Sequence, residues 1–389
     1  MKLSTRCVQL GRGDDKHGAI VPPIYQTATF EQPTATEFGE YDYTRSGNPT
    51  RTLLQDQLAD LENAAHASVF SSGMAALTAL TRIIKAGEEI IAGDDLYGGT
   101  VRLLDRIGSH QNIAVRYVDT TDANQLEKVL TSRTRLILIE TPSNPLFRIS
   151  DIRALASIAS DAGAYLAVDN SMLSPVFQRP LTLGADIVVH SATKFLCGHS
   201  DVTAGALITS DPALQQQIAF QQNAEGAGLS PFESWLLLRG LKTLALRVER
   251  QNASAGKIAR FLQTRAEVTQ VFYPGLDSHP GGEIHNKQAS GNGSVISFTT
   301  GDEELSAAIV ETTSLFKIAV SFGSVGSTIS LPCRMSHASI PGALRDRLAP
   351  PRDLVRLSVG IEDVDDLILD LERAFASNTR EEQLEETVQ

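Results

Sequence analysis

Cysteines, aromatic residues and basic residues are all scarce in this sequence, and each scarcity excludes something. Only three cysteines occur in 389 residues, Cys7, Cys197 and Cys333. They form neither an even disulfide framework nor a metal-ligand spacing, which suits a reducing compartment. Lys and Arg number 34 against 46 Asp and Glu, a net charge of −12. A surface that tracks nucleic-acid phosphates needs a basic excess, so none is expected, and any bound anion must be caught locally. Aromatics make up 6% of the chain. The two clusters worth noting, Tyr41 with Tyr43 and Phe316 with Phe322, lack the interleaved cations of a base-stacking platform. No apolar run approaches the roughly 18 residues of a membrane span. Met1 to Leu10 carries no signal-peptide or transit-peptide pattern, so the expected location is the cytoplasm. The eight histidines contain no His-x3-His pair, and no metal site is expected. Neither G-x-G-x-x-G nor G-x-x-x-x-G-K-[ST] is present, which argues against dinucleotide and nucleoside triphosphate sites.

What remains is an ordinary globular composition, 42% hydrophobic and 21% charged, long enough for two or three domains. The first 50 residues show no periodicity and read as an extended arm. Leu53, Leu54, Leu58 and Leu61 then fall on one helical stripe. Short apolar runs at 89–92, 114–118, 136–140, 165–169, 187–190 and 204–209 have strand character, with helical segments between the earlier ones. Strands apolar on both faces and separated by helices predict a mostly parallel sheet covered on each side. A long amphipathic stretch from Phe232 to about Thr264 has no strand partner and is expected to bridge two domains. Beyond it, strands near 268–273, 294–299, 329–332 and 355–358 and helices at 303–314 and 363–376 predict a smaller α+β domain. The expected organisation is an arm over 1–55, a large domain over 56–245, a small one over 246–376 and a flexible, Glu-rich tail over 377–389.

The chemistry is concentrated in Ser191-Ala192-Thr193-Lys194, directly after an apolar strand. A lysine there stands at the sheet edge where open α/β folds bind ligands. If it condensed with an aldehyde cofactor, that cofactor would also need phosphate donors, a flat partner for its ring and a carboxylate for its pyridine nitrogen. Candidates exist for each. Ser72-Gly73-Met74 opens a helix after a strand, so its N–H groups suit a phosphate, and Ser191 and Thr193 add hydroxyls. Tyr97, followed by Gly98 and Gly99, has neighbours small enough to let a ring lie over its face. Asp169 ends its strand at the same edge. Lys194, Asp169 and the glycine turn are each commonplace alone; their combination is not.

These residues lie in motifs that closely resemble the Cys/Met-metabolism enzymes dependent on pyridoxal phosphate: YDYTRSGNPTR (41–51), SSGMAAL (71–77), DDLYGGT (94–100), ETPSNP (140–145), VDNSMLSPV (168–176), ADIVVHSATKFLCGHSDV (185–202), PFESWLLLRGLKT (231–243) and SVGIEDVDDL (358–367). The resemblance runs from about Cys7 to Ala376. It implies fold type I, the aspartate aminotransferase-like α/β architecture, with a mostly parallel seven-stranded sheet and a smaller C-terminal α+β domain. It also implies that Lys194 holds pyridoxal phosphate and moves protons, that Asp169 pairs with the pyridine nitrogen, and that Tyr97 stacks on the ring. Gly73, Met74, Ser191 and Thr193 should bind the phosphate, with Tyr43 and Arg45 reaching it from a neighbouring subunit. Asn144 should lie near the cofactor's phenolic oxygen, and Arg356 with Ser321 should grip the substrate α-carboxylate. The implied assembly is a homotetramer, a dimer of dimers with shared sites, acting on a small amino acid. Within the family the wording is nearest to the carbon–sulfur β-lyases of the plant type, with γ-synthase and γ-lyase as alternatives. Relatives working at Cγ often carry a glutamate in S-x-G-x-V-E-S, where this chain has Gly326, which favours β-elimination. Gly99 stands where the methionine γ-lyases have a cysteine.

Overall fold

The computed structural model describes residues 1–9, 17–338 and 340–386. Seven strands build the large sheet: β1 (His66–Phe70), β2 (Glu89–Gly93), β3 (Ala114–Val118), β4 (Thr134–Glu140), β5 (Tyr165–Asp169), β6 (Ile187–His190) and β7 (Gly205–Thr209). Their order is β1-β7-β6-β5-β4-β2-β3, and β7 alone runs antiparallel to its neighbours. The reversal has a local cause. The segment after β6 has no crossover helix, and a parallel return needs one. Instead Thr193 N–H donates to Ala204 O (3.2 Å) and Ala204 N–H to Thr193 Oγ1 (2.9 Å). The chain therefore folds straight back, and Lys194 is left in the loop at the C-terminal edge of the sheet.

Both faces of the sheet are covered, as its doubly apolar strands require. On one, Leu54, Leu58, Leu237 and Leu241 pack against Val188, Ala206 and Ile208. On the other, Leu77, Leu80 and Leu104 pack against Ile90, Leu138 and Val189. The small domain adds β8 (Gln270–Phe272), β9 (Val295–Thr299), β10 (Lys317–Ile318), β11 (Thr328–Ser330) and β12 (Val355–Ser358), in the order β10-β11-β12-β9-β8.

The expected bridge between domains is two helices, Pro231–Leu241 and Leu244–Gln263. At their corner Gly240 O accepts from Thr243 N–H (3.2 Å) and from Arg247 Nη2 (2.9 Å), while Arg247 Nη1 donates to Phe195 O (2.9 Å). One buried arginine thus satisfies the broken helix end and ties it to the Lys194 loop. Along the second helix, Leu244, Ala245 and Val248 pack into the core of the large sheet, and Ala255, Ile258 and Leu262 into that of the small one.

The termini differ from expectation. Within the 1–55 arm, Leu3–Val8 is helical and docks on its own large domain, Gln57 Nε2 donating to Arg6 O (2.8 Å), and the helix Pro49–Leu61 begins before residue 55. Part of the arm, 10–16, lies outside the described residues. At the other end the helix Val364–Glu386 continues ten residues past the expected stop at Ala376, where a flexible tail was expected. The sequence there is rich in Glu, Gln and Arg, whose propensity sustains a helix without an apolar stripe; 387–389 lie outside the described residues.

Candidate active site

A cavity of about 400 Å3 opens at the C-terminal edge of the large sheet, where β4, β5 and β6 end. Its lining includes Gly73, Met74, Tyr97, Asn144, Asp169, Ser191, Thr193, Lys194, Ser321 and Arg356, so ten of the twelve expected residues meet in one place. Tyr43 and Arg45 are not among them. Arg45 Nη1 donates to Asn223 O (3.0 Å) and Oδ1 (2.9 Å), with its guanidinium 5.5 Å from the Tyr43 ring. Tyr43 is 42% exposed.

At one end of the cavity the helix Gly73–Thr81 presents its first turn, whose N–H groups have no carbonyl partner within the helix. Ser72 Oγ caps it by accepting from Ala75 N–H (3.0 Å). Gly73 is needed for closeness: a Cβ there would stand 3.0 Å from Ser191 Oγ. At Gly205 a Cβ would run into the Ser72 carbonyl, so β7 can approach the turn only as glycine. Two backbone N–H groups, a positive helix end and the Ser191 hydroxyl form a cradle suited to an anion, beside Thr193, whose hydroxyl donates to Ala204 O (3.2 Å).

On the floor Asp169 ends β5, with Ser171 N–H donating to its Oδ1 (2.9 Å). Burial pushes its carboxyl up, opposed by the Ser171 hydrogen bonds and by the positive charge of His190 and Lys194. Lys194 Nζ donates to Ser321 Oγ (2.5 Å) and sits 4.9 Å from the centre of the Phe322 ring. Burial and the neighbouring Arg356 cation bring the Lys194 ammonium down to about 8, with Asp169 and Glu140 pulling the other way. Arg356 is 2% exposed and donates through Nη1 to Asn144 Oδ1 (2.8 Å) and through Nη2 to Ser321 O (3.1 Å).

Sequence reasoning missed several lining residues. Glu140 ends β4 in register with Asp169 and accepts from Tyr97 N–H (3.2 Å). Burial, then the charges of Asp169 and Asp95, hold its carboxyl well above the usual range. It was legible as a strand-end carboxylate inside ETPSNP. Phe322, dismissed as a stacking platform for bases, is buried between the Lys194 and Arg356 cations. Arg102 and Met335 carry no local signal and reach the cavity only through tertiary folding. Gly326 is exposed, is absent from the lining, and a Cβ there would meet nothing within 4 Å. Cys197 is buried packing, its thiol pushed up to about 11 chiefly by burial. Among the described residues no cluster of three His, Cys, Asp or Glu could hold a metal, and no helix is long and apolar enough to cross a membrane.

A lysine of lowered proton affinity, a carboxylate beneath it, a phosphate cradle and a buried arginine define a site for an amino-acid-handling aldehyde cofactor, and the fold is that of the fold type I enzymes. The chain belongs to the Cys/Met metabolism PLP-dependent enzymes, whose family model matches residues 4–376, and its cofactor is pyridoxal phosphate. It is 54% identical over 373 residues to the chloroplastic cystathionine beta-lyase of Arabidopsis thaliana, covering 96% of this chain and 80% of that one. It is 46% identical over 376 residues to the cystathionine gamma-lyase of Bacillus subtilis, covering 96% and 99%. Among solved structures, cystathionine gamma synthase from Xanthomonas oryzae pv. oryzae in complex with cystathionine superposes with a TM-score of 0.94 at 39% identity, covering 97% of this chain and 98% of that one.

Proposed function

We propose that this chain is a carbon–sulfur lyase that cleaves L-cystathionine by β-elimination to homocysteine, pyruvate and ammonia. The observation that carries the reading is the convergence of Lys194, Asp169 and Arg356 on one cavity. The direction of cleavage is supported by the 54% identical relative named cystathionine beta-lyase; Gly326, outside the cavity lining, does not bear on it.

The cavity volume, the cradle at Gly73 and the donor set fit pyridoxal phosphate. When bound, that cofactor supplies an aldehyde to condense with an amine and a pyridinium ring that draws electrons away from Cα. Gly73, Met74, Ser191 and Thr193 hold the phosphate, and Asp169 keeps the proton on the pyridine nitrogen. Tyr97 would cover the ring, and Asn144 would hold the phenolic oxygen. Lys194 Nζ holds the cofactor between turnovers. Once displaced by the substrate amine, it takes the Cα proton, which its affinity near 8 permits at neutral pH. Arg356, already aimed by Asn144 and Ser321, fixes the α-carboxylate with a planar fork that a lysine could not match. Tyr97, which lines the cavity, would be the donor of the proton that the leaving sulfur takes up.

The full assembly in this reading is a homotetramer built as a dimer of dimers, with Tyr43 and Arg45 completing the neighbour's phosphate site. Three unpaired cysteines suit the reducing cytoplasm, although the Arabidopsis relative is named chloroplastic. Incubation of the holoenzyme with L-cystathionine and mass spectrometry of the products tests the proposal. Homocysteine with pyruvate is expected. Cysteine with 2-oxobutyrate would mean that the bond broken is the one at Cγ, and cystathionine γ-lyase would replace the reading.

A further inference from the structure

Tyr97 is 38% exposed and lines the cavity. Its backbone is pinned by Glu140 Oε2 at 3.2 Å, but that bond does nothing to fix the ring. One face of the ring lies over Gly99, where a Cβ would run into Tyr97 Cε1, and the ring's aromatic neighbour is the imidazole of His337, 6.4 Å away between centroids and inclined at 85°, an edge-to-face contact. His337 is 2% exposed and comes from the segment 331–338, which also lines the cavity through Met335 and Ser336.

Hydrogen bonds to Asn144 O, Ser336 Oγ and the Leu96 backbone hold the imidazole. Its Nε2 lies 3.3 Å from Asn144 O, an acceptor only, so Nε2–H donates; Nδ1 therefore accepts from Ser336 Oγ at 2.9 Å. Burial and the nearby Arg356 cation push the imidazolium down to about 4, so the ring is neutral at neutral pH. With both nitrogens engaged, His337 has no free lone pair for proton transfer in the cavity. The backbones are pressed together as well. A Cβ at Gly98 would stand 2.8 Å from Ser336 O and 2.9 Å from His337 Cα, so only glycine after Tyr97 lets the two segments meet.

We propose that His337 is a positioning residue that sets the plane of the Tyr97 ring and acts on catalysis only through it. The inference rests on the reading of Tyr97 as the residue that covers the cofactor ring. An edge-to-face contact of this kind accounts for up to about tenfold in rate when it is made in the wild type and lost in the variant.

The test is a double-mutant cycle in the holoenzyme with L-cystathionine. His337→Ala is expected to lower kcat about tenfold, with KM and the pyridoxal phosphate dissociation constant unchanged within about twofold. His337→Phe, which keeps a ring edge without the hydrogen bonds, should recover most of the loss. The double variant Tyr97→Ala/His337→Ala should be no slower than Tyr97→Ala alone. A readout independent of turnover is the crystal structure of cofactor-free His337→Ala, in which the Tyr97 ring should be rotated from its present plane. Should His337→Ala not fold, His337→Gln against His337→Phe decides the matter, the phenylalanine variant being the faster. Additive losses in the cycle, a glutamine variant as fast as the phenylalanine one, or an unmoved Tyr97 ring would overturn the inference. Tyr97→Ala as fast as the parent would overturn the reading of Tyr97 and the inference with it, whereas a slow Tyr97→Ala with an additive cycle removes only His337.

Discussion

In the proposed reaction Lys194, once the substrate amine has displaced it, has to be neutral to take the Cα proton and cationic when it hands that proton on, and the charges around it set that balance. Burial and Arg356 lower its proton affinity, while Asp169 and Glu140 raise it. Replacing Arg356 by Ala removes a cation, so the amine should bind its proton more tightly; Asp169→Asn removes an anion and should loosen it. The modification rate of Lys194 by an amine-selective reagent in the cofactor-free chain, followed by mass spectrometry against pH, is expected to rise through about 8. The midpoint should move up in Arg356→Ala and down in Asp169→Asn. Stability follows the same linkage. Because the folded affinity is depressed, the unfolded chain binds the extra proton between about 8 and the ordinary 10.5. Stability therefore rises with pH across that window, and the penalty is fully present below it. Lys194→Met should accordingly melt higher than the parent at pH 7 without cofactor, the gap narrowing toward pH 10.5. An unchanged midpoint in both charge variants would mean that solvent, not these neighbours, sets the affinity.

The phosphate cradle is a property of two elements meeting, the first turn of Gly73–Thr81 and the start of β7 at Gly205. Gly205→Ala puts a methyl into the Ser72 carbonyl, and one or both elements must move. Overpacking of this kind costs about 1–3 kcal/mol. The expected result is a lowered melting temperature together with weaker pyridoxal phosphate binding in equilibrium dialysis. A variant that loses stability but keeps its affinity would show that the turn yields elsewhere. This scale is also where the sequence was most and least informative. Strand-end residues such as Asp169 and Lys194 could be read because buried parallel strands leave long apolar runs that stop at the functional edge. The break after Leu241 could not, since it depends on Arg247 reaching back across the corner to Gly240 O and Phe195 O. Nor could β10, two residues long and defined by its parallel pairing to β11 rather than by any alternation of its own. Arg102 and Met335 reach the cavity, and His337 the Tyr97 ring, from helix and loop positions whose local sequence says nothing about what they face.

At the scale of the whole molecule, Tyr43 and Arg45 carry the remaining question. Both belong to a family motif, yet in one chain they lie outside the cavity, and the segment around them exposes Ile20, Tyr25, Phe38 and Tyr43 to solvent. Large apolar side chains left this bare ask for a second surface. If that surface is a neighbouring copy, each site is built from two chains, and two different inactive variants can complement each other. Lys194→Ala removes the amine from its own site, and Arg45→Ala removes a phosphate ligand from the partner's. In a hybrid dimer one site inherits both lesions and the other neither. Each variant alone should retain little activity, Lys194→Ala the less, since Arg45 contributes only to binding. Unfolding, mixing and refolding the two together should restore activity to a substantial fraction of the parent, and the restored fraction should follow the yield of hybrids as the mixing ratio is varied. If mixing yields only the average of the two parents at every ratio, Arg45 serves its own chain and the site is complete within one subunit. Tyr43→Ala paired with Lys194→Ala should behave as Arg45→Ala does, because the Arg45 guanidinium sits 5.5 Å from the centre of the Tyr43 ring and loses that support in the variant.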